Sequence, residues 1–258
     1  MRRTLIILAA LLAGSAPVVA QQAPVQPATV VRTFPHDPGA FTEGLFYQDG
    51  FLYESTGEPG HSTIRKVDLA TGRVLRSVSI PAPTFGEGIV AVGRELVSLT
   101  WKDGIGYRWT LDGFRRTGSF RYPGEGWALT STGRSLVMSD GTAQLRLLDP
   151  HTLAEQRRIT VTTADGRPVD QLNELEYVDG EILANIWRTN RIARIDPATG
   201  HVLGWIDVSA LTAQVHSSDP EAVPNGIAWD AKRRRLFVTG KDWPVMFEIE
   251  PPKRCGGR

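Results

Sequence analysis

Five copies of one short pattern divide the sequence, and this repetition constrains the fold more than any other feature. One series places an acid or an amide before an apolar residue, at Glu43, Glu87, Glu125, Asn173 and Asn225. A second series ends strand-like runs with an acid, at Asp68, Asp112, Asp149, Asp196 and Glu250. A third is the first leucine of another apolar run, at Leu52, Leu96, Leu136, Leu183 and Leu236. The spacings, between 37 and 54 residues, lengthen and shorten together, which indicates five copies of one unit.

Each copy has the size and the internal pattern of a propeller blade. Short alternating runs rich in β-branched or aromatic residues, such as 181–187, are separated by Asp-Gly, Gly-Arg or Ala-Thr-Gly turns. No stretch shows helical periodicity. Four such strands in roughly 40 to 50 residues make one blade. The sequence therefore predicts an all-β domain, a five-bladed β-propeller spanning residues 29–250.

The fifth copy ends near Glu250, where its fourth strand should begin. A spare strand pattern lies at the other end of the chain, at residues 29–34. We expect this N-terminal strand to complete the fifth blade and close the ring, because an unpaired edge strand is a liability. The alternative, an open solenoid of five repeats, leaves both end strands unpaired.

The first twenty residues have the pattern of a signal peptide. Arg2 and Arg3 precede a short apolar run, and Val18-Val19-Ala20 predicts cleavage after Ala20. The run is too short to span a bilayer, although an uncleaved anchor is the alternative. We expect an exported protein, periplasmic or secreted, with no membrane attachment after cleavage. Residues 21–28 and 251–258 are expected to be a flexible N-terminal segment and a flexible tail.

Cysteine content and charge exclude several classes of function. Cys255 is the only cysteine, so neither an internal disulfide nor a site with several thiolate ligands can form. The net charge is +1, with acids and bases interspersed, which gives no basic surface for nucleic acid. We expect a monomer with no nucleic-acid partner.

One rim of the propeller is expected to carry the function. Inner strands start and second strands end on the same face, and the longest connections, 162–172 and 209–224, lie there too. The predicted rim residues are the acids and amides of the first series, together with Trp101, Asp140, Trp187 and Lys241. The alternative for the acids and amides is structural, as hydrogen-bonding ties between blades. Trp109, Trp205 and Trp229 are expected to pack between blades.

Five motifs, in order from Phe34 to Glu250, carry a resemblance to a known family. They are Phe34-Pro-His-Asp-Pro-Gly-Ala-Phe-Thr-Glu-Gly-Leu45, Phe85-Gly-Glu-Gly88, Tyr122-Pro-Gly-Glu-Gly-Trp127, Leu172-Asn-Glu-Leu-Glu176 and Thr239-Gly-Lys-Asp-Trp-Pro244. With them the chain resembles the plant-type glutaminyl cyclases, which have bacterial members. That family is a five-bladed propeller that needs no metal. The resemblance implies no cofactor, and peptides or proteins with N-terminal glutamine as substrates.

The resemblance also implies roles for particular residues. Glu87 is then the carboxylate that transfers the proton, and Asn173 and Lys241 hold the substrate amide and bear the oxyanion. Trp101, Trp127 and Trp187 are then the aromatic walls, with Phe41 and Phe85 beside them. Glu43 departs from the pattern, since many relatives have glutamine there.

This chemistry suits the residue types. The α-amine of an N-terminal glutamine attacks its own γ-carbonyl, which gives pyroglutamate and releases ammonia. The enzyme must hold the folded conformer, stabilise the oxyanion and protonate the leaving nitrogen. We expect Glu87 to take a proton from the amine and return it to ammonia, with a pKa raised by burial.

Two other functions fit parts of the pattern. A calcium-dependent propeller hydrolase, a lactonase or phosphatase, would use oxygen ligands from Glu43, Glu87, Asn173 and Asn225. The tryptophans of the rim and the positive charge of Lys241 count against it. A non-catalytic propeller that binds a partner through its loops is the third possibility.

Overall fold

The computed structural model describes residues 22–253, and almost all of its regular structure is β-strand. Two strands precede the first blade, β1 (Val25–Pro27) and β2 (Val30–Pro35). The signal-peptide pattern, Gln21 and Cys255 lie outside the described residues. In the described part, no helix is long and apolar enough to cross a membrane.

The strands that follow form five successive blades of antiparallel strands. The first contains β3 to β6, at Thr42–Gln48, Phe51–Thr56, Thr63–Asp68 and Val74–Ser79. The second contains β7 to β10, at Gly86–Val92, Glu95–Thr100, Ile105–Thr110 and Arg116–Arg121. The third contains β11 to β14, at Ala128–Ser131, Leu136–Ser139, Gln144–Leu148 and Glu155–Thr160. The fourth contains β15 to β18, at Leu172–Val178, Glu181–Ile186, Arg191–Ile195 and Val202–Asp207. The fifth begins with β19 to β21, at Pro224–Asp230, Arg235–Gly240 and Val245–Ile249.

The N-terminal strand completes the fifth blade, as predicted. Strand β2 pairs antiparallel with β21, with Val30 opposite Ile249 and Pro35 opposite Val245. Five hydrophobic clusters fill the five interfaces between neighbouring blades, including the one between the fifth blade and the first. The ring is therefore closed, and the open solenoid is excluded.

Within each blade, burial decreases from the inner strand, near the propeller axis, to the outer strand. In the first blade, β3 and β4 are almost entirely buried, whereas five of the six residues of the outer strand β6 are exposed. The inner strands approach closely because glycines line the axis. A Cβ on Gly88 would lie 2.4 Å from the Cα of Ala128, so only glycine fits there. This close approach brings the starts of the inner strands together at one mouth.

Strand β1 was not predicted. Residues 21–28 were expected to be flexible, but Val25–Pro27 pairs parallel with the outer strand β18 of the fourth blade. Two further backbone bonds fix this strand, from Trp205 N–H to the Pro24 carbonyl and from Ala28 N–H to the Asp207 carbonyl. The physical reason is the open edge of β18, whose unpaired backbone groups accept a fifth strand.

One short helix, α1 (Ser209–Val215), lies in the long connection between the fourth and fifth blades. The sequence predicted no helix, and that expectation was wrong at this point. Seven residues are too few to show a helical period, and Leu211 is the residue that α1 buries. The helix occupies the connection that leads to the rim.

Candidate active site

All nine site residues predicted from the sequence line a single pocket at the mouth of the propeller. They are Phe41, Glu43, Phe85, Glu87, Trp101, Trp127, Asn173, Trp187 and Lys241. The pocket encloses about 170 Å³. Its residues come from the starts of the inner strands and the ends of the second strands, which is the rim that the repeat pattern predicts.

Glu87 is the carboxyl group with the fewest partners in the pocket. It lies in β7, is 5% exposed, and its Oε2 has no hydrogen-bond partner among the described residues. Burial raises the pKa of Glu87 well above its ordinary value; the charges of Glu43 and Glu125 raise it further, and Lys241 lowers it. The shift favours the protonated carboxyl and has the direction that the sequence led us to expect.

Glu43 has the opposite environment, although it is equally buried. Its Oε1 accepts a hydrogen bond from Lys241 Nζ at 2.6 Å, and its Oε2 accepts one from Asn225 Nδ2 at 2.9 Å. Burial raises the pKa of Glu43 to about 7, and the Lys241 and Asn225 contacts oppose that rise. The two carboxyls of the pocket thus differ: Glu43 is paired and Glu87 is not.

Lys241 follows strand β20 and is 6% exposed. Besides its bond to Glu43, its ammonium lies 4.4 Å from the centre of the Phe41 ring. An ammonium has three donors, so the bond to Glu43 leaves others for a ligand. The structure therefore adds a carboxylate partner to the residue that the sequence placed on the substrate amide.

Asn173 supplies an amide to the lining of the pocket. It lies in β15 and is 3% exposed, and its Oδ1 has no hydrogen-bond partner within the described chain. Unpartnered buried polar atoms are rare in folded proteins, and each of them calls for an explanation. Asn173 Oδ1 and Glu87 Oε2 both belong to residues that line the pocket, which marks its polar end.

Aromatic rings form most of the remaining wall. Phe85 packs edge-on against Phe41 at 6.1 Å and contacts Trp101 at 5.6 Å between ring centres. Trp127 and Trp187 make an edge-to-face pair at 5.6 Å. Such pairs fix ring orientation as well as burying area. The rings therefore give the pocket a mostly apolar wall.

Two glycines make room for these rings. A Cβ on Gly57 would lie 2.4 Å from the Phe85 ring. A Cβ on Gly141 would lie 2.6 Å from the Trp127 ring, and Gly141 also has a positive φ of 78°. Larger residues at either position would push an aromatic wall into the pocket.

Glu221 also lines the pocket, and the sequence reasoning missed it. It lies in the long connection that contains α1, which was predicted to face the rim, but no repeat marks its position. Glu221 Oε1 pairs with the Arg188 guanidinium at 2.6 Å, and that guanidinium lies 4.5 Å from the centre of the Trp187 ring. Arg188 has a positive φ of 59°, so this rim contact is built on an unusual backbone conformation.

Other residues singled out in the sequence have structural roles. Asn225 is one of the predicted blade ties, since its Nδ2 also donates to the Thr42 carbonyl and so joins the last inner strand to the first. Asp140 caps a turn by accepting from Thr142 N–H. Trp109 and Trp229 are buried in the inter-blade clusters, and Trp205 packs partly buried on the outer strand β18.

No metal centre is evident in the described residues 22–253, where no group of three or more His, Cys, Asp or Glu side chains is arranged to hold an ion. The four oxygen ligands that the calcium-dependent alternative would need are not all available to bind an ion. Glu43 and Asn225 are bonded to each other, and the Lys241 cation lies against Glu43.

Comparisons with known proteins point in one direction. A family model described as glutamine cyclotransferase matches residues 4–250. The chain is 41% identical over 225 residues to a glutaminyl-peptide cyclotransferase of Arabidopsis thaliana, covering 86% of this chain and 70% of that one. The crystal structure of Myxococcus xanthus glutaminyl cyclase matches with a TM-score of 0.83 at 38% identity, over 88% of this chain and 97% of the other. The β-propeller domain of Cps50 (Swd1) from Myceliophteria thermophila, at 12% identity and a TM-score of 0.51, covering 88% and 100%, shares the fold alone.

Proposed function

The chain belongs to the glutamine cyclotransferase family and is a glutaminyl-peptide cyclotransferase, and we propose that the pocket at the propeller mouth is its active site. The observation that carries this proposal is the pair of unpartnered buried groups, Glu87 Oε2 and Asn173 Oδ1, inside an aromatic wall. A polar end within an otherwise apolar pocket fits a small amide-bearing side chain.

The substrate's N-terminal glutamine enters this pocket and folds back on itself. The rings of Trp127 and Trp187, together with Phe85 and Trp101, pack against its methylenes. The α-amine then lies near its own γ-carbonyl, and holding that conformer removes most of the entropic barrier. An α-amine has a pKa of about 7.7 to 8, so a neutral, nucleophilic fraction is present near neutral pH.

Glu87 transfers the proton. The sequence suggested that it first takes a proton from the amine, but the raised pKa of Glu87 favours its protonated form, so in our proposal it first gives a proton. The neutral amine attacks the γ-carbonyl carbon and gives an ammonium nitrogen and an oxyanion. The Glu87 carboxyl gives its proton to the γ-amide nitrogen and takes one from the ammonium nitrogen. The C–N bond to the departing ammonia then breaks, which leaves the lactam and a protonated Glu87.

Lys241 and Asn173 stabilise the oxyanion. The Lys241 ammonium keeps donors in addition to the one that Glu43 accepts, and Asn173, which lines the same pocket, donates from its Nδ2. Glu43 fixes the position of the lysine at 2.6 Å and balances its charge before substrate binds. Donors held in place before the reaction are the most effective kind.

A direct assay tests the proposal. The purified chain is incubated with a peptide that begins with glutamine, and released ammonia and the pyroglutamyl product are measured. The same peptide with an acetylated α-amine serves as the control, because it has no nucleophile. We expect ammonia from the free peptide alone. Ammonia from both peptides would contradict attack by the α-amine.

Export and action as a monomer are further parts of the proposal. The signal-peptide pattern of residues 1–20 supports export. Mass spectrometry of the mature protein should find cleavage after Ala20 and, because Gln21 is then a substrate, a mass lower by one ammonia. Size-exclusion chromatography with light scattering should give the mass of one chain.

A further inference from the structure

Glu125 joins two walls of the pocket without lining it. Its Oε2 accepts hydrogen bonds from both indole nitrogens, from Trp101 Nε1 at 2.7 Å and from Trp127 Nε1 at 2.9 Å. Hydrogen bonds to an ionised acceptor are about twice as strong as neutral ones. A single carboxylate oxygen therefore sets the rotation of two tryptophan rings.

The backbone around Glu125 is tied to the same tryptophans. Gly126 N–H donates to the Trp101 carbonyl at 3.0 Å, and Gly88 N–H donates to the Trp127 carbonyl at 3.0 Å. Gly88 follows Glu87 in β7, so Trp127 is linked to the strand that carries the proton-transferring group. The orientation of the rings and the position of Glu87 thus depend on one connected set of bonds.

We propose that Glu125 is a positioning residue, which holds Trp101 and Trp127 in the walls of the pocket and places a negative charge within electrostatic reach of Glu87. The proposal rests on the assignment of this pocket as the active site. Glu125 does not reach the substrate, and it acts through the two indoles and through its charge.

The charge of Glu125 belongs to a balance of groups around Glu87. Glu43 on β3 and Glu125 before β11 both raise the pKa of Glu87, whereas Lys241 after β20 lowers it. The Tyr122 hydroxyl also lies within electrostatic reach of Glu87, and it is bonded to the backbone of Thr100. Removing the Glu125 charge alone should therefore let Glu87 lose its proton at lower pH.

Two variants separate these actions. In Glu125→Gln the amide oxygen still accepts both indole bonds but carries no charge. We expect KM close to that of the wild type and a high-pH limb of kcat that moves to lower pH. In Glu125→Ala both bonds are lost, and we expect kcat/KM to fall on the order of 10- to 100-fold, with altered tryptophan emission in the absence of substrate.

Ser98→Ala is the matched control, because Trp109 Nε1 donates to Ser98 Oγ at 2.9 Å in the core. This variant removes a hydrogen bond of similar length, donated by an indole N–H outside the pocket. The melting temperature should therefore fall, while kcat, KM and the pH profile stay unchanged. Wild-type kinetics in a folded Glu125→Ala would overturn the proposal, as would an unmoved pH limb together with a raised KM in Glu125→Gln. If Glu125→Ala does not fold, the Glu125→Gln profile alone decides. Absence of pyroglutamate formation by the wild type would instead refute the active-site assignment, and the emission of the Glu125 variants would still report the indole bonds.

Discussion

Glu43 and Lys241 are 198 positions apart in the sequence, yet their charged atoms lie 2.6 Å apart inside the pocket. Closure of the ring causes this, because it sets the first inner strand beside the last blade. Both side chains are almost fully buried, so neither charge is stable there without the other. The pair therefore contributes, together with burial and the charge of Glu125, to the electrostatic environment of Glu87.

Glu43→Gln should change the pH dependence more than the maximal rate. The substitution removes a negative charge that raises the pKa of Glu87 and leaves the Lys241 charge, which lowers it. Only the Glu43 contribution changes, so the high-pH limb of kcat should move to lower pH. Glutamine also cannot neutralise the buried ammonium, so the melting temperature should fall. The measurement is a full pH profile of kcat at saturating peptide. A high-pH limb at the same pH as in the wild type would contradict this account.

Glu87→Gln should lower kcat by roughly 10²- to 10⁴-fold, the usual contribution of a general acid and base. Folding should be retained, because glutamine has the same shape and Glu87 Oε2 makes no hydrogen bond that the change would break. Circular dichroism and a thermal melt check the fold. Glu95→Gln, at the far end of the same hairpin, is the control and should keep normal turnover. A folded Glu87→Gln enzyme with normal turnover would remove Glu87 from the mechanism.

The repeat pattern predicted the site because it fixes where strands start. Each acid or amide of the first series lies at or just before the start of an inner strand, so Glu43, Glu87 and Asn173 had to meet at one mouth once the ring closed. The ends of the second strands, which carry Trp101, Trp187 and Lys241, reach the same level for the same reason. The spacing of the repeats along the sequence thus predicted where these pocket residues lie.

Contacts that depend on side-chain direction were not predictable in this way. Glu221 lies in a connection with no repeat, and the register of that loop is set by α1 and by the bond to Arg188. The bond from Lys241 to Glu43 depends on rotamers, which a strand pattern does not specify. Strand β1 has three residues and pairs through its backbone alone, so no side-chain alternation marks it.

Trp187→Ala and Trp205→Ala should have opposite effects. Trp187 lines the pocket, so its loss should raise KM or lower kcat by about tenfold, with little change in melting temperature. Trp205 lies on the outer strand β18 and packs against the cluster between the third and fourth blades. Its loss should lower the melting temperature by roughly 5 °C or more and leave kinetics unchanged. If both variants lost the same amount of melting temperature and neither changed the kinetics, the assignment of the active site to this face of the propeller would be wrong.

Exhaustive chelation should leave activity intact. The mechanism places the oxyanion on Lys241 and Asn173, so it needs no Lewis acid. The measurement compares kcat before and after dialysis against a strong chelator, with metal analysis of the dialysed protein. Activity that disappears and returns with calcium would favour oxygen ligands at the propeller mouth, and a return with zinc would require another site.

Glu176→Gln should flatten the pH dependence of stability. Glu176 Oε1 accepts a bond from Trp229 N–H at 2.9 Å, and its Oε2 accepts one from the Thr130 hydroxyl at 3.1 Å. Burial raises the pKa of Glu176 from 4.5 to about 8. Between those values the folded chain keeps a proton that the unfolded chain has lost, so stability falls as pH rises from about 4.5 to about 8. In Glu176→Gln the side-chain oxygen still accepts from Trp229 N–H, and the side-chain NH2 group donates to the Thr130 hydroxyl oxygen. Glutamine does not titrate in this range.

Thermal melts of the two proteins between pH 5 and pH 9 measure this difference. The melting temperature of Glu176→Gln should exceed that of the wild type by an amount that grows as pH rises, with the largest gap above about pH 8. Glu174→Gln is the informative contrast, because both oxygens of Glu174 accept backbone N–H groups, from Leu45 and Ile227. In Glu174→Gln the side-chain NH2 group, which is a donor, must face one of these backbone N–H donors. This variant should therefore be less stable at every pH. Melting curves of Glu176→Gln that run parallel to the wild type across the whole range would show that Glu176 keeps its charge in the fold.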